Sequence, residues 1–269
     1  MNLFNLEGKV AIVTGATGLI GQNHCKALAE AGASIVVADL NLSTCEEVIG
    51  KLSNPEKHHA ISFDITSEEE VKEANLQIKD KYGAIDILVN NAAINDMFEN
   101  PLLAGEKSMF ENYPVEMFRK SLEANVTGTF LCCQVFGTEM SKQGKGSIIN
   151  IASTYGMVGP DQSIYKDQNG KQLFFKSASY PATKGAVINF TRFLAAYWGN
   201  KGVRVNTLSP GGVENSQDDF FVKNYSAKTP LNRMAQPTEY MGAVVFLASD
   251  ASSYMTGANL VVDGGWTAI

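Results

Sequence analysis

The sequence predicts an α/β protein in which helices cover both faces of a doubly wound parallel sheet of about seven strands. Three observations predict this class. Short apolar runs alternate along the chain with longer segments of helical periodicity. Glycine or polar residues follow the ends of these runs, where a parallel sheet places its ligands. No linker, low-complexity stretch or internal repeat divides the chain, so we expect one domain spanning residues 1–269.

Composition and charge argue against several classes of function. The 269 residues are 45% hydrophobic and 19% charged, as expected for a globular chain that can bury a large core. A net charge of −6 and the lack of a basic run argue against nucleic acid as a partner. Residues 1–9 lack signal-peptide character, and no segment reaches ~18 unbroken apolar residues. We therefore expect a cytoplasmic protein without a membrane partner.

Cysteine and histidine give no sign of a metal centre or a hydrolase triad. The cysteines lack C-x-x-C spacing, so we expect reduced, packed thiols rather than disulfides or zinc ligands. They are Cys25, Cys45, Cys132 and Cys133. No histidine falls near a serine or cysteine in a hydrolase-type motif. The histidines are His24, His58 and His59.

A glycine turn after the first strand predicts a nucleotide site. The apolar run at residues 9–14 ends in the sequence GATGLIG, residues 15–21, and a helical pattern follows through Ala31. Glycine lets the backbone turn tightly and approach a pyrophosphate, whose charge is stabilised by the N–H groups and dipole of the helix start. A tight strand-to-helix turn alone also favours glycine. Three glycines at three-residue spacing nevertheless make nucleotide binding the better interpretation.

An acidic residue at the end of the second strand favours NAD(H) over NADP(H). The strand at residues 34–38 ends at Asp39, 24 residues beyond Gly15. A carboxylate there can accept hydrogen bonds from both hydroxyls of an adenosine ribose, and it repels a 2′-phosphate. No Arg or Lys stands at Thr17, Leu40 or Asn41 to attract that phosphate. The alternative, an Asp that only caps the next turn, explains the spacing less well.

The third and fourth strands end in residues suited to the same cofactor. A strand at residues 60–63 runs into Asp64 and Ile65, and a capping box of Ser67 and Glu70 predicts the next helix. The strand at residues 85–89 ends in the sequence NNAA, residues 90–93, where small and polar residues let the chain pass beneath a cofactor.

The second half of the chain continues the alternation of strands and helices. A long helix from about residue 114 to 140 carries Asn125, and the strand at 147–151 ends at Ala152 and Ser153. The strand at residues 203–208 ends in the sequence SPGG, and a helix near 237–248 leads to the last strand, 259–262. Since the polar and glycine features follow strands, we expect one ligand site at the carboxyl ends of the sheet.

A tyrosine and a lysine four residues apart supply the candidate catalytic groups. Tyr180 and Lys184 lie at the start of a predicted helix running towards Gly199, so both side chains share one helix face. Pro181 fits this placement because proline is tolerated only in the first helical turn. An unperturbed tyrosine titrates near pH ~10, and a fixed ammonium one turn away favours its ionised form. A surface pair that only stacks its stems remains the alternative.

Three segments without clear periodicity leave from strands that border the predicted site. Residues 95–113 and 155–178 are expected to be lids over a polar substrate, and a polar stretch runs through 212–229. Candidate substrate contacts within these segments are Asn95, Tyr155, Lys166 and Asn215.

The ordered set of motifs resembles the short-chain dehydrogenase/reductase family over essentially the whole chain. The matching residues are Thr14-Gly15, Gly18, Gly21, Asp39, Asp64, Asn90-Asn91-Ala92, Asn125, Ser153, Tyr180, Lys184, Pro210-Gly211 and Val262-Asp263-Gly264-Gly265. The resemblance implies a Rossmann fold, a nicotinamide cofactor and usually a homotetramer, with a homodimer as the alternative. The chain also looks similar to family members described as flagellin-modification or gluconate 5-dehydrogenase-like proteins.

The resemblance also implies roles for individual residues. Tyr180 would be the general acid/base, Lys184 would lower its pKa and hold the nicotinamide ribose, and Ser153 would hydrogen-bond the reacting oxygen. Asn125 would anchor a water-linked proton relay to Lys184. Asp64 and Ile65 would border the adenine, Asn90 the adenine ribose region and Val213 the carboxamide. The implied NAD contacts are Gly15, Thr17, Gly18, Leu19, Ile20, Asp39, Leu40, Asp64, Ile65, Asn91, Ala92, Ala93, Tyr180, Lys184, Pro210, Gly211 and Val213.

The sequence departs from the family pattern at three positions. Leu19 replaces the second glycine of Thr-Gly-x-x-x-Gly-x-Gly, and Gly18 gives the spacing of the sugar-nucleotide-modifying branch. Ala93 stands where Asn-Asn-Ala-Gly would end in glycine. The threonine that commonly follows Pro-Gly is absent, with residues 214–216 reading Glu-Asn-Ser.

These observations predict an NAD(H)-dependent oxidoreductase that interconverts a secondary alcohol and a ketone, on a sugar or sugar derivative. Three alternatives stay open. They are a reductase of acyl or steroid ketones, a sugar-nucleotide epimerase or dehydratase that retains its NAD, and a scaffold that senses NAD(H) without turnover. The serine, tyrosine and lysine set argues against the scaffold, because a sensor has no need of proton transfer.

Overall fold

A parallel sheet of seven strands forms the centre of the protein, as predicted. The computed structural model describes residues 3–95 and 105–269. The strands are β1 (Val10–Thr14), β2 (Ser34–Asp39), β3 (His59–Ser62), β4 (Ile87–Asn90), β5 (Gly146–Ile151), β6 (Val203–Pro210) and β7 (Asn259–Val262). Their order is β3-β2-β1-β4-β5-β6-β7, and all neighbouring strands are parallel. The order reverses direction at β1 and β4, which opens a crevice at their carboxyl ends.

Eight α-helices of the described residues connect these strands. They are α1 (Leu19–Glu30), α2 (Leu42–Ile49), α3 (Glu68–Tyr82), α4 (Val115–Leu122), α5 (Gly128–Gln143), α6 (Ser179–Trp198), α7 (Asp219–Ser226) and α8 (Met241–Ala248). No helix of the described residues is long and apolar enough to cross a membrane.

The sheet separates two hydrophobic layers because alternate residues of a strand point to opposite faces. In β1, Ala11 and Val13 pack in one layer with helices α1, α2 and α8. Val10 and Ile12 pack in the other layer with helices α3, α5 and α6. Each layer buries the apolar stripe of its helices, and this burial is the main source of stability for the fold. All four cysteines are buried in these layers.

The predicted helix over residues 114–140 is interrupted. Helix α4 passes through a π-helical turn, Glu123–Thr127, before α5 begins at Gly128. The predicted helix near 237–248 likewise begins with a 3₁₀ turn, Pro237–Tyr240, before α8. Neither change of winding is visible in the apolar periodicity, because the pattern continues through both turns.

Two local predictions were wrong. The stretch through residue 229 contains helix α7, whose first N–H groups are capped by the Asp218 side chain at 2.9 and 3.0 Å. Its eight residues give too short a pattern for periodicity to detect. At α3, Ser67 accepts from the Glu70 N–H at 3.3 Å, but the Glu70 carboxylate accepts from the Asp64 N–H at 2.8 Å. The capping box is therefore only half formed, since Glu70 ties the helix to the end of β3 instead.

Candidate active site

The carboxyl ends of six strands surround one cavity of about 1020 Å³. It extends from the residues that follow β2 and β3 to those that follow β5 and β6. The predicted site residues that line it are Gly15, Thr17, Gly18, Leu19, Ile20, Asp39, Leu40, Asp64, Ile65, Asn91, Ala92, Ala93, Ser153, Tyr180, Lys184, Pro210, Gly211 and Val213. The topology thus brings residues almost 200 positions apart in sequence to one edge of the sheet.

The N-terminus of α1 offers backbone N–H groups to the cavity. Gly18 is the N-cap residue and carries no side-chain cap, and Leu19 and Ile20 line the cavity beside it. The first N–H groups of a helix have no acceptor within the helix, and the helix dipole adds partial positive charge. A phosphate is the chemical group that satisfies both.

Close backbone contacts explain two of the glycines in this turn. Gly15 has φ +61°, and a Cβ there would lie 2.6 Å from the Ala92 Cα. A Cβ on Gly21 would lie 2.2 Å from the Gly15 carbonyl oxygen. The Asn91 side chain donates to the same carbonyl at 2.9 Å. The turn is therefore packed on β4, so it presents a fixed surface to a dinucleotide.

Asp39 lines the cavity beside the glycine turn. Its Oδ2 accepts from the Thr17 N–H at 3.0 Å and from the Thr17 hydroxyl at 2.6 Å. Its Oδ1 accepts from the Leu40 N–H at 2.8 Å. These bonds hold the carboxylate at the cavity wall, next to the glycine turn. The residues present therefore fit a nicotinamide dinucleotide, with negative charge where a 2′-phosphate would need positive charge.

Of the two asparagines at the end of β4, only Asn91 lines the cavity. Asn90 is 4% exposed and donates to the Asn150 Oδ1 at 2.8 Å and to the Cys133 Sγ at 3.1 Å. These bonds connect β4, β5 and α5 inside the protein. The expected position of Asn90 beside the adenine ribose is therefore wrong, because its side chain points into the core.

Ser153, Tyr180 and Lys184 meet at the other end of the cavity. Ser153 follows β5, whereas Tyr180 and Lys184 lie one turn apart on α6. The Lys184 ammonium is 5.7 Å from the centroid of the Tyr180 ring and donates to the Ile151 carbonyl at 2.8 Å. The Ser153 hydroxyl hydrogen-bonds the Tyr180 phenol. Three groups able to move or hold a proton therefore share one site.

Burial sets the acidity of these groups. It raises the pKa of Tyr180, while the hydrogen bond from Ser153 lowers it. Burial also lowers the pKa of Lys184 from 10.5 to about 8, because the ammonium is removed from water. A lysine with such a pKa can change its charge near neutral pH, which an exposed lysine does not do.

Asn125 lies behind the cavity wall rather than in it. It is 1% exposed, and its side chain donates to the Ile94 carbonyl at 3.0 Å and to the Thr183 hydroxyl at 3.1 Å. Its Oδ1 accepts from the Ile94 N–H at 2.7 Å. The π-helical turn carries Asn125 towards α6, and such turns are frequent at functional sites. Asn125 thereby joins the residues after β4 to the turn that holds Lys184.

Aromatic side chains from two irregular segments cover the catalytic end. The Tyr155 and Tyr165 hydroxyls are 3.3 Å apart, and Tyr225 accepts from the Gly212 N–H at 2.5 Å. The rings of Tyr225 and Trp266 stack at a centroid distance of 4.4 Å. The cluster thus ties segment 155–178 and helix α7 to the C-terminal residues. Tyr155, Tyr165 and Tyr225 also line the cavity, so the cluster forms part of its wall.

Among the predicted substrate contacts, Asn95, Tyr155 and Asn215 line the cavity. Lys166 is exposed and pairs with Gln172 across a bridge outside the cavity, so this expectation was wrong. Of segment 95–113, residues 96–104 lie outside the described residues.

Known proteins match this chain over almost its whole length. A family model described as enoyl-(acyl carrier protein) reductase matches residues 15–267. A D-threitol dehydrogenase of Mycolicibacterium smegmatis is 35% identical, with 98% of this chain and 95% of that protein covered. An NAD-dependent glycerol dehydrogenase of Listeria innocua is 33% identical, with 98% and 96% covered.

A solved structure shows the same fold. It is a gluconate 5-dehydrogenase from Burkholderia cenocepacia in complex with NADP and tartrate, with a TM-score of 0.86 and 30% identity. The match covers 100% of this chain and 98% of that one. The chain belongs to the short-chain dehydrogenase/reductase family. The predicted family, fold class and class of enzyme, an oxidoreductase, are thereby confirmed.

This dehydrogenase accommodates its departures from the family pattern. Leu19 is the first residue of α1 and is 38% exposed, so its side chain lies along the cavity while the backbone turn is kept. Ala93 lines the cavity between Asn91 and Asn95. The Asn215 N–H donates to the Gln217 side chain at 2.7 Å, and Gln217 donates to the Val213 carbonyl at 2.8 Å. Gln217 thereby orders the segment from which the usual threonine is missing.

Sequence reasoning missed several residues of the dehydrogenase cavity. They are Lys176, Tyr165, Gln217, Phe221, Tyr225 and Met234. None of these residues had a usable sequence signal. They belong to irregular segments or to the short helix α7, where spacing carries little information.

Proposed function

We propose that the protein is an NAD(H)-dependent dehydrogenase that interconverts a secondary alcohol and a ketone on a sugar-like polyol. One observation carries the proposal. Ser153, Tyr180 and Lys184 share a cavity with Asp39 and with the uncapped start of α1. The cavity therefore combines a dinucleotide cradle with a proton-transfer site.

The proposed mechanism assigns one task to each side chain. When bound, the nicotinamide supplies the acceptor or donor of the hydride exchanged with the carbinol carbon. In oxidation, the Tyr180 phenolate takes the hydroxyl proton of the substrate, and Ser153 donates a hydrogen bond to the same oxygen. The Lys184 ammonium stabilises the phenolate electrostatically, and it would also hold the nicotinamide ribose when the cofactor is bound. In reduction, Tyr180 returns the proton.

Asn125 acts in this proposal as a positioning residue. Its side chain bonds the Thr183 hydroxyl and both backbone groups of Ile94, so it fixes α6 relative to the end of β4. Thr183 directly precedes Lys184. Asn125 would thereby hold the start of the water-linked relay that carries the proton from Tyr180 through Lys184 to solvent.

Asp39 is the reason for proposing NAD rather than NADP. Its carboxylate is fixed by Thr17 and Leu40 at the cavity wall. A 2′-phosphate would bring a charge of like sign against it, whereas ribose hydroxyls can donate to it. The glycerol dehydrogenase relative is NAD-dependent, whereas the gluconate dehydrogenase structure holds NADP. The relatives therefore differ in cofactor, and the assignment rests on Asp39 itself.

The relatives and the lid residues support a polar substrate. Two relatives are named for threitol and glycerol, and a third protein for gluconate. The cavity is lined by the amides of Asn95 and Asn215 and by the rings of Tyr155 and Phe221. Amides can exchange hydrogen bonds with hydroxyl groups, while rings pack against the C–H faces between them.

We place the enzyme in the cytoplasm as a homotetramer or homodimer active in carbohydrate metabolism. Exposed rings on α5 and α6 support self-association, with Phe130, Phe193 and Tyr197 at 42%, 60% and 58% exposure. Phe130 contacts Phe190 at a ring distance of 6.0 Å, and Phe193 stacks on Tyr197 at 5.9 Å. A continuous apolar stripe of this kind is typical of an interface between chains.

A substrate panel tests the proposed function. NADH absorbance is followed with NAD⁺ or NADP⁺ and a series of alditols, sugars, sugar acids, acyl carbinols and steroid alcohols. We expect NADH to form with polyol-type substrates and to form much faster than NADPH. Turnover restricted to acyl or steroid substrates would contradict the substrate assignment. NAD retained through purification, with product formed but no net NADH, would instead indicate an epimerase or dehydratase.

A further inference from the structure

A second ammonium lies against the catalytic tyrosine. Lys176 is 5% exposed, lines the cavity and places its Nζ 4.3 Å from the centroid of the Tyr180 ring. This is closer than Lys184, whose Nζ is 5.7 Å from the same centroid. The Lys176 ammonium also donates to the Asn95 side chain, which lines the cavity itself. The end of the lysine side chain is therefore held between the catalytic ring and the cavity wall.

The protein holds the backbone of Lys176 from both sides. The Gln162 Oε1 accepts from the Lys176 N–H at 2.8 Å, and the Gln162 Nε2 donates to the Lys176 carbonyl at 3.2 Å. Gln172 in turn donates to the carbonyls of Gln162 and Phe174, at 2.8 Å each. A side chain placed by a network of this kind keeps a defined position, as a recognition residue requires.

Among the described residues that line the cavity, charge is unevenly distributed. The carboxylates of Asp39 and Asp64 follow β2 and β3, at one end of the sheet. Lys176 and Lys184 lie beside Tyr180, at the end of the cavity that is formed by the residues after β5 and β6. Lys120 and Glu123 add one charge of each sign from α4 and the π-helical turn. The catalytic end is thus the end at which two ammonium groups converge.

We propose that Lys176 is a specificity-determining residue, and that the enzyme prefers a polyol carrying an anionic group, a carboxylate or a phosphate, over the neutral alditol. This inference rests on the proposed function and names its substrate class. A charge-assisted hydrogen bond is about twice as strong as a neutral one. An anionic group beside the reacting carbinol would form a charge-assisted hydrogen bond with Lys176. A terminal CH₂OH group could form only a weaker hydrogen bond with the same ammonium.

Matched substrates test the proposal without changing the reacting carbinol. D-gluconate and D-glucitol differ at C1, where a carboxylate replaces a CH₂OH group, and D-threonate and D-threitol form a shorter pair. D-glucitol 6-phosphate distinguishes phosphate recognition from carboxylate recognition. We expect the wild-type kcat/KM to be about 10- to 100-fold higher for the anionic member of at least one pair.

Variants assign that preference to Lys176. Lys176→Met keeps the length of the side chain and removes the charge, so the ratio of anionic to neutral kcat/KM should fall to about 1. Lys176→Arg keeps the charge and should retain part of the ratio. Lys166→Met is the control, because Lys166 is an exposed lysine of the same segment outside the cavity. Circular dichroism and the melting temperature verify that each variant is folded.

A binding measurement separates failure of this inference from failure of the proposed function. Calorimetric titration of gluconate and glucitol into the enzyme–NADH complex reports affinity without turnover. A gluconate preference lost in Lys176→Met supports the inference even if neither compound is oxidised. Equal affinity and equal turnover of both members of each pair overturn it while the dehydrogenase assignment stands. A Lys176→Met variant that loses turnover equally for all substrates also overturns it, since Lys176 would then act on Tyr180 alone.

Discussion

Adding one methyl group at Gly21 should destabilise both the fold and the dinucleotide cradle. The Cβ of Gly21→Ala would lie 2.2 Å from the Gly15 carbonyl oxygen, 2.9 Å from the Ala16 Cα and 2.9 Å from the Asn91 Nδ2. Two of these atoms belong to the backbone of the turn between β1 and α1. The turn must therefore move by roughly 1 Å to restore van der Waals contact.

The expected cost follows from this overlap. Overpacking of a rigid site costs ~1–3 kcal/mol, and a clash with backbone belongs at the upper end, about 2–3 kcal/mol. For a chain of this size the melting temperature should fall by about 4–10 °C. The same displacement moves the N–H groups that face the phosphates, so NADH affinity should fall by at least about 10-fold.

Gly18→Ala is the matched control. A Cβ at Gly18 would meet only the Gly15 carbonyl oxygen, at 3.3 Å, and Gly18 has an extended backbone, φ −70° and ψ 167°. Its melting temperature should therefore stay within about 2 °C of the wild type. Differential scanning calorimetry and NADH fluorescence titration measure both effects. A wild-type melting temperature in Gly21→Ala, or equal losses in the two variants, would refute the packing argument.

Three further predictions concern charge. Asp39→Asn should lower the ratio of kcat/KM for NAD⁺ to that for NADP⁺ by about 10- to 100-fold, and an unchanged ratio would exclude Asp39 as the selecting residue. Burial lowers the pKa of His24 from 6.5 to about 4, so the unfolded chain binds more protons as pH falls through this window. Urea unfolding should show the stability of the wild type relative to His24→Leu falling by about 2 kcal/mol from pH 7.5 to 5, whereas parallel profiles would contradict this. Burial lowers the pKa of Lys184 from 10.5 to about 8, so the unfolded chain binds more protons between these values. The free energy of unfolding of the wild type relative to Lys184→Met should accordingly rise by about 2 kcal/mol from pH 7.5 to 9.5. If this difference in free energy stays constant with pH, the lowered pKa of Lys184 is contradicted.

The parallel sheet and the position of the site could be predicted because they depend on strong, local signals. Each strand of the buried sheet is a nearly continuous apolar run, and a parallel sheet collects the residues after its strands at one edge. The glycine turn, Asp39 and the pair Tyr180 and Lys184 lie at strand ends or at a helix start. Their position at a strand end or helix start is therefore enough to predict that they line the cavity, without knowledge of side-chain packing.

What could not be predicted depends on contacts between distant residues. Asn90 is the last residue of β4 and directly precedes Asn91, but bonds to Asn150 and Cys133 hold its side chain in the core. Lys176 is placed by Gln162, 14 residues earlier in an irregular segment that has no periodicity. Glu70 bonds to Asp64 rather than completing a capping box with Ser67. In each case two hydrogen-bonding arrangements suit the local sequence, and tertiary structure selects one.

Tyr180→Phe tests the central claim most directly, because it removes a single hydroxyl. The account predicts that kcat for the best substrate of the panel falls by at least about 10³-fold, whereas the NADH dissociation constant and the melting temperature stay close to wild type. Stopped-flow reduction of NAD⁺ and NADH fluorescence titration on the same preparation give both quantities. Loss of turnover with intact NADH binding would identify the Tyr180 hydroxyl as the group that transfers the proton. Turnover close to wild type in Tyr180→Phe would contradict the account.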